Sequence, residues 1–177
     1  MSAGPESSER RIVVGVDGSR HSVEALRWAA YQASTLGARL EAVTAWEYPA
    51  SFGWAAVPSD WDPAKDMEKV LQDAVSTAFG DQLPSGLELQ VREGGAARVL
   101  IEACRGATMV VVGSRGHGGF AGMLLGSVSA IVAEHASCPV LIIHGERRAP
   151  RVGTVPTWLK STSSSFSMAS RKHVDRP

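Results

Sequence analysis

The sequence predicts an α/β domain built as a single parallel sheet with helices on both faces. Three observations predict it. Short β-branched apolar runs recur, chief among them Ile12-Val-Val-Gly-Val16 and Met109-Val-Val-Val112, and such runs suit strands buried on both faces. Between them lie segments with apolar residues at helical spacing. The two kinds alternate strictly, β-α-β-α-β-α-β-α-β, and right-handed crossovers then make the strands parallel.

Residues 1–10 are small and polar, with Gly4 and Pro5, and read as a flexible lead-in. The first strand, Arg11–Val16, stops at Asp17-Gly18-Ser19, a turn triplet with Ser19 and Ser22 as N-cap candidates. In the first helix Ala25, Leu26, Ala29, Ala30, Ala33 and Leu36 share a face, and Gly37 stands where a left-handed C-terminal cap belongs. Leu40–Ala45 is the second strand. Residues 46–63 are irregular, with three prolines and the aromatics Trp46, Tyr48, Phe52, Trp54 and Trp61. A segment of that length and composition either packs over its own sheet edge or forms a flap over a ligand or partner.

Asp62-Pro63 opens a second helix whose apolar side is Met67, Val70, Leu71, Ala74, Val75 and Ala78, ending at Gly80. Leu87, Leu89 and Val91 alternate with polar residues as in a half-buried edge strand. Gly94-Gly95 turns into a third helix, Ala97–Cys104, with Val99, Leu100 and Ala103 inward. The fourth strand, Met109–Val112, breaks at Gly113. Six glycines follow in quick succession (Gly113, Gly116, Gly118, Gly119, Gly122, Gly126), residues that can take positive φ and allow close approach. Val128, Ile131, Val132 and His135 then recur at helical spacing, with Ser127 as the expected N-cap. Pro139 introduces the last strand, Val140–Ile143. A buried strand, a glycine loop and a capped helix together offer bare N–H groups and a positive dipole end to an anion. Ligands of such sheets bind at the carboxyl ends of strands where the strand order reverses. If the first and fourth strands are neighbours, Asp17-Gly18-Ser19 and the glycine loop line one crevice.

Hydrophobic residues at 44% and charged residues at 20% are ordinary globular proportions, so a single domain is expected in the 177-residue chain. The net charge is zero but uneven. Beyond Gly145 stand Arg147, Arg148, Arg151, Lys160, Arg171, Lys172 and Arg176 against Glu146 and Asp175, which leaves a mildly acidic body and no nucleic-acid face on it. Residues 146–177, Ser-rich and basic, read as a disordered tail. Cys104 and Cys138 form neither a CxxC nor a Cys/His cluster and read as small buried hydrophobes in a reducing compartment. No apolar run approaches the ~20 residues of a membrane span and the N-terminus lacks a signal-peptide core, so a cytoplasmic location is expected. A Walker loop would need a lysine that the glycine loop lacks. Gly116-His-Gly-Gly-Phe-Ala121 fits a dinucleotide fingerprint formally but stands after the wrong strand. His21, His135 and His144 lack metal-ligand spacing.

The spacing Gly113-x2-Gly116-x9-Gly126-Ser127 resembles the ATP-binding signature of the universal stress protein family. Ile12-Val-Val-Gly-Val-Asp-Gly-Ser19 resembles that family's opening strand and turn, and Cys138-Pro-Val-Leu-Ile-Ile143 its last strand. The resemblance implies a universal stress protein domain over residues 11–145, with a five-stranded sheet of order 3-2-1-4-5 (adenine nucleotide alpha hydrolase-like, Rossmann-like). It implies homodimers paired through the last strand, 140–143, and ATP as ligand, with or without Mg2+. The candidate binding set is Gly15, Val16, Asp17, Ala45, Val112, Gly113, Ser114, Arg115, Gly116, His117, Gly118, Gly119, Gly126, Ser127, Val128 and Ser129, with no catalytic or metal-ligating residue. The glycines would close the backbone around phosphates, Ser127 and Ser129 would add hydroxyl donors, and Arg115 and His117 would supplement the positive field. A carboxylate beside a polyphosphate is repulsive without a metal, so Asp17 is expected at the nucleoside end. Gly15, Val16 and Ala45 would wall the base. The reading that follows is a nucleotide-dependent regulator in stress or growth arrest. A slow ATPase or phosphotransferase is the alternative, limited to weak ATP hydrolysis because no base is committed. An interaction module with a vestigial nucleotide site is the third reading.

Overall fold

The computed structural model describes residues 10–48, 61–117, 124–145 and 149. The lead-in before Arg10, most of the aromatic segment 46–63, Gly118, Gly119 and Gly122, and the basic tail apart from Ala149 lie outside the described residues. Among the described residues nine elements alternate: β1 (Arg11–Gly15), α1 (Arg20–Leu36), β2 (Arg39–Trp46), α2 (Pro63–Phe79), β3 (Leu87–Glu93), α3 (Ala96–Ala103), β4 (Met109–Gly113), α4 (Ser127–His135) and β5 (Val140–Ile143). All pairings are parallel and the sheet order is β3-β2-β1-β4-β5. β1 is central, with Val14 opposite both Ala42 of β2 and Val111 of β4.

Alternation along each strand sends side chains to two cores. Ile12, Val14, Leu40, Ala42 and Val111 meet α1 and α2 on one face, through Leu26, Ala29, Ala33 and Leu71. Val13, Val43, Val110 and Val112 meet α3 and α4 on the other, through Val99, Leu100, Ala103 and Val132. Full burial of each large aliphatic side chain is worth about 1.5–3 kcal/mol, and Ile12, Val13, Val14, Val110 and Val111 are all fully buried. Continuous apolar runs therefore form the central strands.

The helix ends follow their capping residues. Ser19 caps α1 by accepting from the Ser22 amide at 3.2 Å, while the Ser22 hydroxyl donates to the Ser19 carbonyl at 2.9 Å. Gly37 closes α1 in the left-handed conformation. Asp62 caps α2 with Pro63 as its first residue. The boundaries differ from expectation by a residue or so. β1 ends at Gly15, although the Val16 amide still donates to the Val43 carbonyl. Trp46 belongs to β2 because β3 pairs along its whole length. α3 spans 96–103, with Cys104 as its C-cap.

Leu89 on the edge strand β3 is exposed. On the opposite face β3 carries Glu88, Gln90 and Arg92, and α3 lies over β1 and β2. The adjoining strand position is Glu41, a carboxylate with a side chain only 3% exposed. It pairs with Arg11 and, at 2.8 Å, with Arg92. Arg92 also reaches Gln90, and Arg39 pairs with Glu88 at 2.7 Å. An ionic lattice covers this corner of the sheet, and the apolar count of β2 alone does not reveal it.

Cys104 is buried and Cys138 partly buried, both as free thiols. Burial, then the neighbouring Cys104, pushes the Cys138 thiol up to about 11. Among the described residues no helix is long and apolar enough to cross a membrane.

Candidate functional site

The sheet order reverses between β1 and β4, so the turns leaving their carboxyl ends open on one crevice. A cavity of about 490 Å³ occupies it, within the size range of small-molecule sites. β1 and its turn contribute Gly15, Val16 and Asp17, and β2 contributes Val43 and Ala45. β4 and the glycine loop supply Val112, Gly113, Arg115, Gly116 and His117. The start of α4 supplies Gly126, Ser127, Val128 and Ser129. The structure thus brings thirteen of the sixteen sequence-selected residues to one cavity wall. Ser114 is buried and does not line it. Gly118 and Gly119 lie outside the described residues.

The loop is held at its base. The Ser114 amide donates to Ile143 of β5 at 2.8 Å, and the Ser114 carbonyl accepts from the Gly126 amide at 2.8 Å. Two expectations about α4 change. Its N-cap is Gly126, not Ser127: Gly126 is extended, its carbonyl accepts from Ala130, and Ser127 is already the first helical residue. Gly126 has no side chain with which to cap this end, and among the described residues no side-chain cap bond reaches the first turn. The Ser129 hydroxyl donates to the Gly113 carbonyl at 2.6 Å, which commits its proton to tying α4 to β4. α3, whose Ala96 also borders the cavity, likewise begins at a glycine without a side-chain cap.

Gly113 and Gly116 serve close approach rather than left-handed turns. Gly113, Gly116 and Gly126 are absent from the positive-φ residues. A Cβ on Gly113 would lie 2.8 Å from the His21 carbonyl carbon and 2.9 Å from its oxygen. The missing side chain therefore lets the first turn of α1 sit against the end of β4. A Cβ on Gly116 would lie 2.3 Å from Asp17 Oδ2.

Asp17 does not point freely into the cavity. Its Oδ1 accepts from the Ser19 amide at 3.0 Å and its Oδ2 from the His117 amide at 3.2 Å. Burial opposes its charge, but hydrogen bonds from Ser19, Ser22 and His117 outweigh that and hold the carboxyl below the usual carboxylate range. The His117 ring Nδ1 stands 3.8 Å away, and the Asp17 side chain remains 46% exposed. Beyond this contact a second cavity of about 800 Å³ runs between α1 and α2 and shares Asp17 and His117 with the first.

Sequence reasoning missed Ser22, Val43, Ala96, Val99 and Leu100 as cavity wall. Val43 was legible in principle, two positions before Ala45 on the same strand face. Val99 and Leu100 carry the periodicity of core residues, and their partial role as cavity wall leaves no separate mark. The apolar end of the cavity is thus built by α3 and β2, and the amide-rich end by α4. Among the described residues no group of three or more His, Cys, Asp or Glu could hold a metal ion.

Comparison with known proteins adds three findings. The model of the universal stress protein family matches residues 9–144. A universal stress protein of Mycolicibacterium smegmatis is 33% identical over 185 residues, covering 96% of this chain and 63% of the relative. The chain spans about half the length of other curated relatives, from Mycobacterium tuberculosis. Solved structures share the fold, among them two with a bound nucleotide. One, a universal stress protein in complex with cAMP, is 28% identical with a TM-score of 0.57, covering 79% of this chain and 100% of that one. The other, from Archaeoglobus fulgidus in complex with dAMP, is 25% identical with a TM-score of 0.53, covering 76% of this chain and 97% of that one.

Proposed function

The chain belongs to the universal stress protein family, and from that premise we propose that it binds an adenine nucleotide in the cavity between β1, β4 and the start of α4, as a nucleotide-dependent regulator in stress or growth arrest. One observation carries the reading: an apolar slot and an amide-rich helix start share one cavity of nucleotide size. Gly15, Val43, Ala45 and Leu100 form the slot, where a purine buries its faces. The amides of Ser127, Val128 and Ser129, at the positive end of α4, meet the phosphates. The Ser127 hydroxyl and Arg115, both exposed at this end, supply further donors. The binding of cAMP and dAMP by related structures supports the adenine base.

ATP is the ligand proposed here. A triphosphate would bring Mg2+ mainly on its own oxygens, because the described residues offer no metal cluster. We further propose a cytoplasmic homodimer paired through β5.

The test is calorimetric titration of the wild-type chain and Gly126→Val with ATP, AMP and cAMP. Gly126 sits 3.5 Å, measured from an added Cβ, from Arg115 Cα and the Ser114 carbonyl oxygen. The γ-carbons of valine would have to enter the cavity or push the loop aside. Micromolar binding by the wild type and a loss of roughly tenfold or more in the variant are expected. Absence of binding by the wild type to all three nucleotides refutes the proposal. Chromatography of nucleotide released on denaturation separates the regulator, which retains ATP, from a slow ATPase, which accumulates ADP.

A further inference from the structure

We propose that Asp17 is a positioning residue: its carboxylate ties Gly116 and His117, at the start of the glycine loop, to the β1–α1 turn and presets that segment before any ligand arrives. The inference rests on the nucleotide-binding reading, but it assigns Asp17 a different task from contact with the nucleoside. Three observations converge on it. Each carboxylate oxygen is already used by the backbone, Oδ1 by the Ser19 amide and Oδ2 by the His117 amide. The two amides belong to different turns, 98 residues apart in sequence. Gly116 is pressed against the same oxygen so closely that a Cβ there would lie 2.3 Å from it. Finally, Asp17 and His117 border both cavities, so their contact is the partition between them.

The charge explains why the bridge is an aspartate. A carboxylate accepts from two amides at once, one on each oxygen, and charge-assisted bonds of this kind are about twice as strong as neutral ones. An asparagine keeps the shape but has one acceptor oxygen, and it turns an NH2 donor toward the second N–H. The structure requires this double acceptor, whereas a hydroxyl or amino group of a nucleoside could be met by either residue. Asp17 also places its negative charge on the β1 side of the loop. A phosphate group is thereby steered toward the start of α4 and away from the second cavity.

Amide hydrogen exchange on the full-length, nucleotide-free protein tests the tether, alongside titration with ATP. Asp17→Asn and Gly116→Ala attack the same contact from opposite sides. The expected result is faster exchange at the His117 amide in both variants, by roughly ten- to a hundredfold, with unchanged exchange in the buried turns of α1. ATP affinity falls by a similar factor in each, and the double variant is no worse than either. Unchanged His117 exchange in Asp17→Asn overturns the proposal. So does full retention of ATP affinity in Gly116→Ala with His117 deprotected, because Asp17 would then act on the ligand directly. A wild-type chain that binds no nucleotide counts against the function proposed above, while the exchange result still decides the tether.

Discussion

Substituting Gly113 by alanine separates packing from ligand contact at the root of the glycine loop. The added Cβ would meet the His21 carbonyl carbon and Cβ at 2.8 Å and the His21 oxygen at 2.9 Å. Carbon atoms settle about 3.5–4.0 Å apart, so α1 or β4 must retreat by roughly 0.7 Å or more. Backbone cannot swing aside as a side chain does, and this turn of α1 is pinned by the Ser19 and Ser22 bonds. Overpacking of this kind costs about 1–3 kcal/mol, and backbone on both sides puts the cost near the upper end. Alanine returns about 0.4–1 kcal/mol by restricting the unfolded chain. The net loss should be about 2–2.5 kcal/mol, a fall in Tm of roughly 4–10 °C for a chain of this size. Urea unfolding followed by tryptophan fluorescence reads it as a lower midpoint at constant slope. Gly126→Ala is the control, because its Cβ meets nothing closer than 3.5 Å. A midpoint for Gly113→Ala equal to that of wild type would refute the close approach of α1 to β4.

Three further outcomes follow from the same geometry. Glu41→Gln leaves two guanidinium groups facing an uncharged amide; breaking a buried pair costs about 3–5 kcal/mol, but Arg11 and Arg92 are 22% and 35% exposed and can rehydrate, so urea unfolding should show a loss of about 1–3 kcal/mol. Asp17 has a folded pKa below its ordinary value of 3.8, so its contribution to stability is fully present above about pH 4 and is lost as pH falls through the folded value; the stability difference between wild type and Asp17→Asn should shrink on acidification below pH 4, measured by unfolding at stepped pH. Cys138, with its thiol pushed up to about 11, should react slowly with iodoacetamide at pH 8 and rapidly once urea exposes it, as mass spectrometry of the labelled peptide would show.

Much of the fold was legible because local signals agreed with it. Ser19, Gly37, Asp62 and Gly80 all stand at helix ends, where their conformational or capping preferences place them. The adjacency of β1 and β4 was not: parallel strands are joined through distant crossovers, and periodicity carries no record of neighbours, so the order rested on family resemblance. At the site, the glycine loop announced itself through spacing, yet the spacing did not say what each glycine was for. Gly113 accommodates α1 and Gly116 accommodates Asp17, which only three-dimensional contact reveals. Ser127 lost the cap position to Gly126, which is extended, donates its amide to the Ser114 carbonyl and accepts from the Ala130 amide. Charge repulsion argues for keeping Asp17 away from a bare polyphosphate, but its engagement with two amides depends on a loop a hundred positions away.

The arginine–glutamate lattice that joins β2 to β3 and to Arg11 at the start of β1 gives the sheet two halves of unlike character. Around β1 and β4 cohesion is hydrocarbon, indifferent to electrolyte. At the β3 border it is partly ionic, with the Arg39–Glu88 pair open to water, and at 1 M salt the screening distance shrinks to about 3 Å. Concentrated salt should therefore loosen the outermost ribbon first, raising hydrogen exchange along Leu87–Glu93 while Val13 and Val111 stay protected. The expected compliance lies along the β3 margin, while the floor of the crevice is the fully buried β1 and β4.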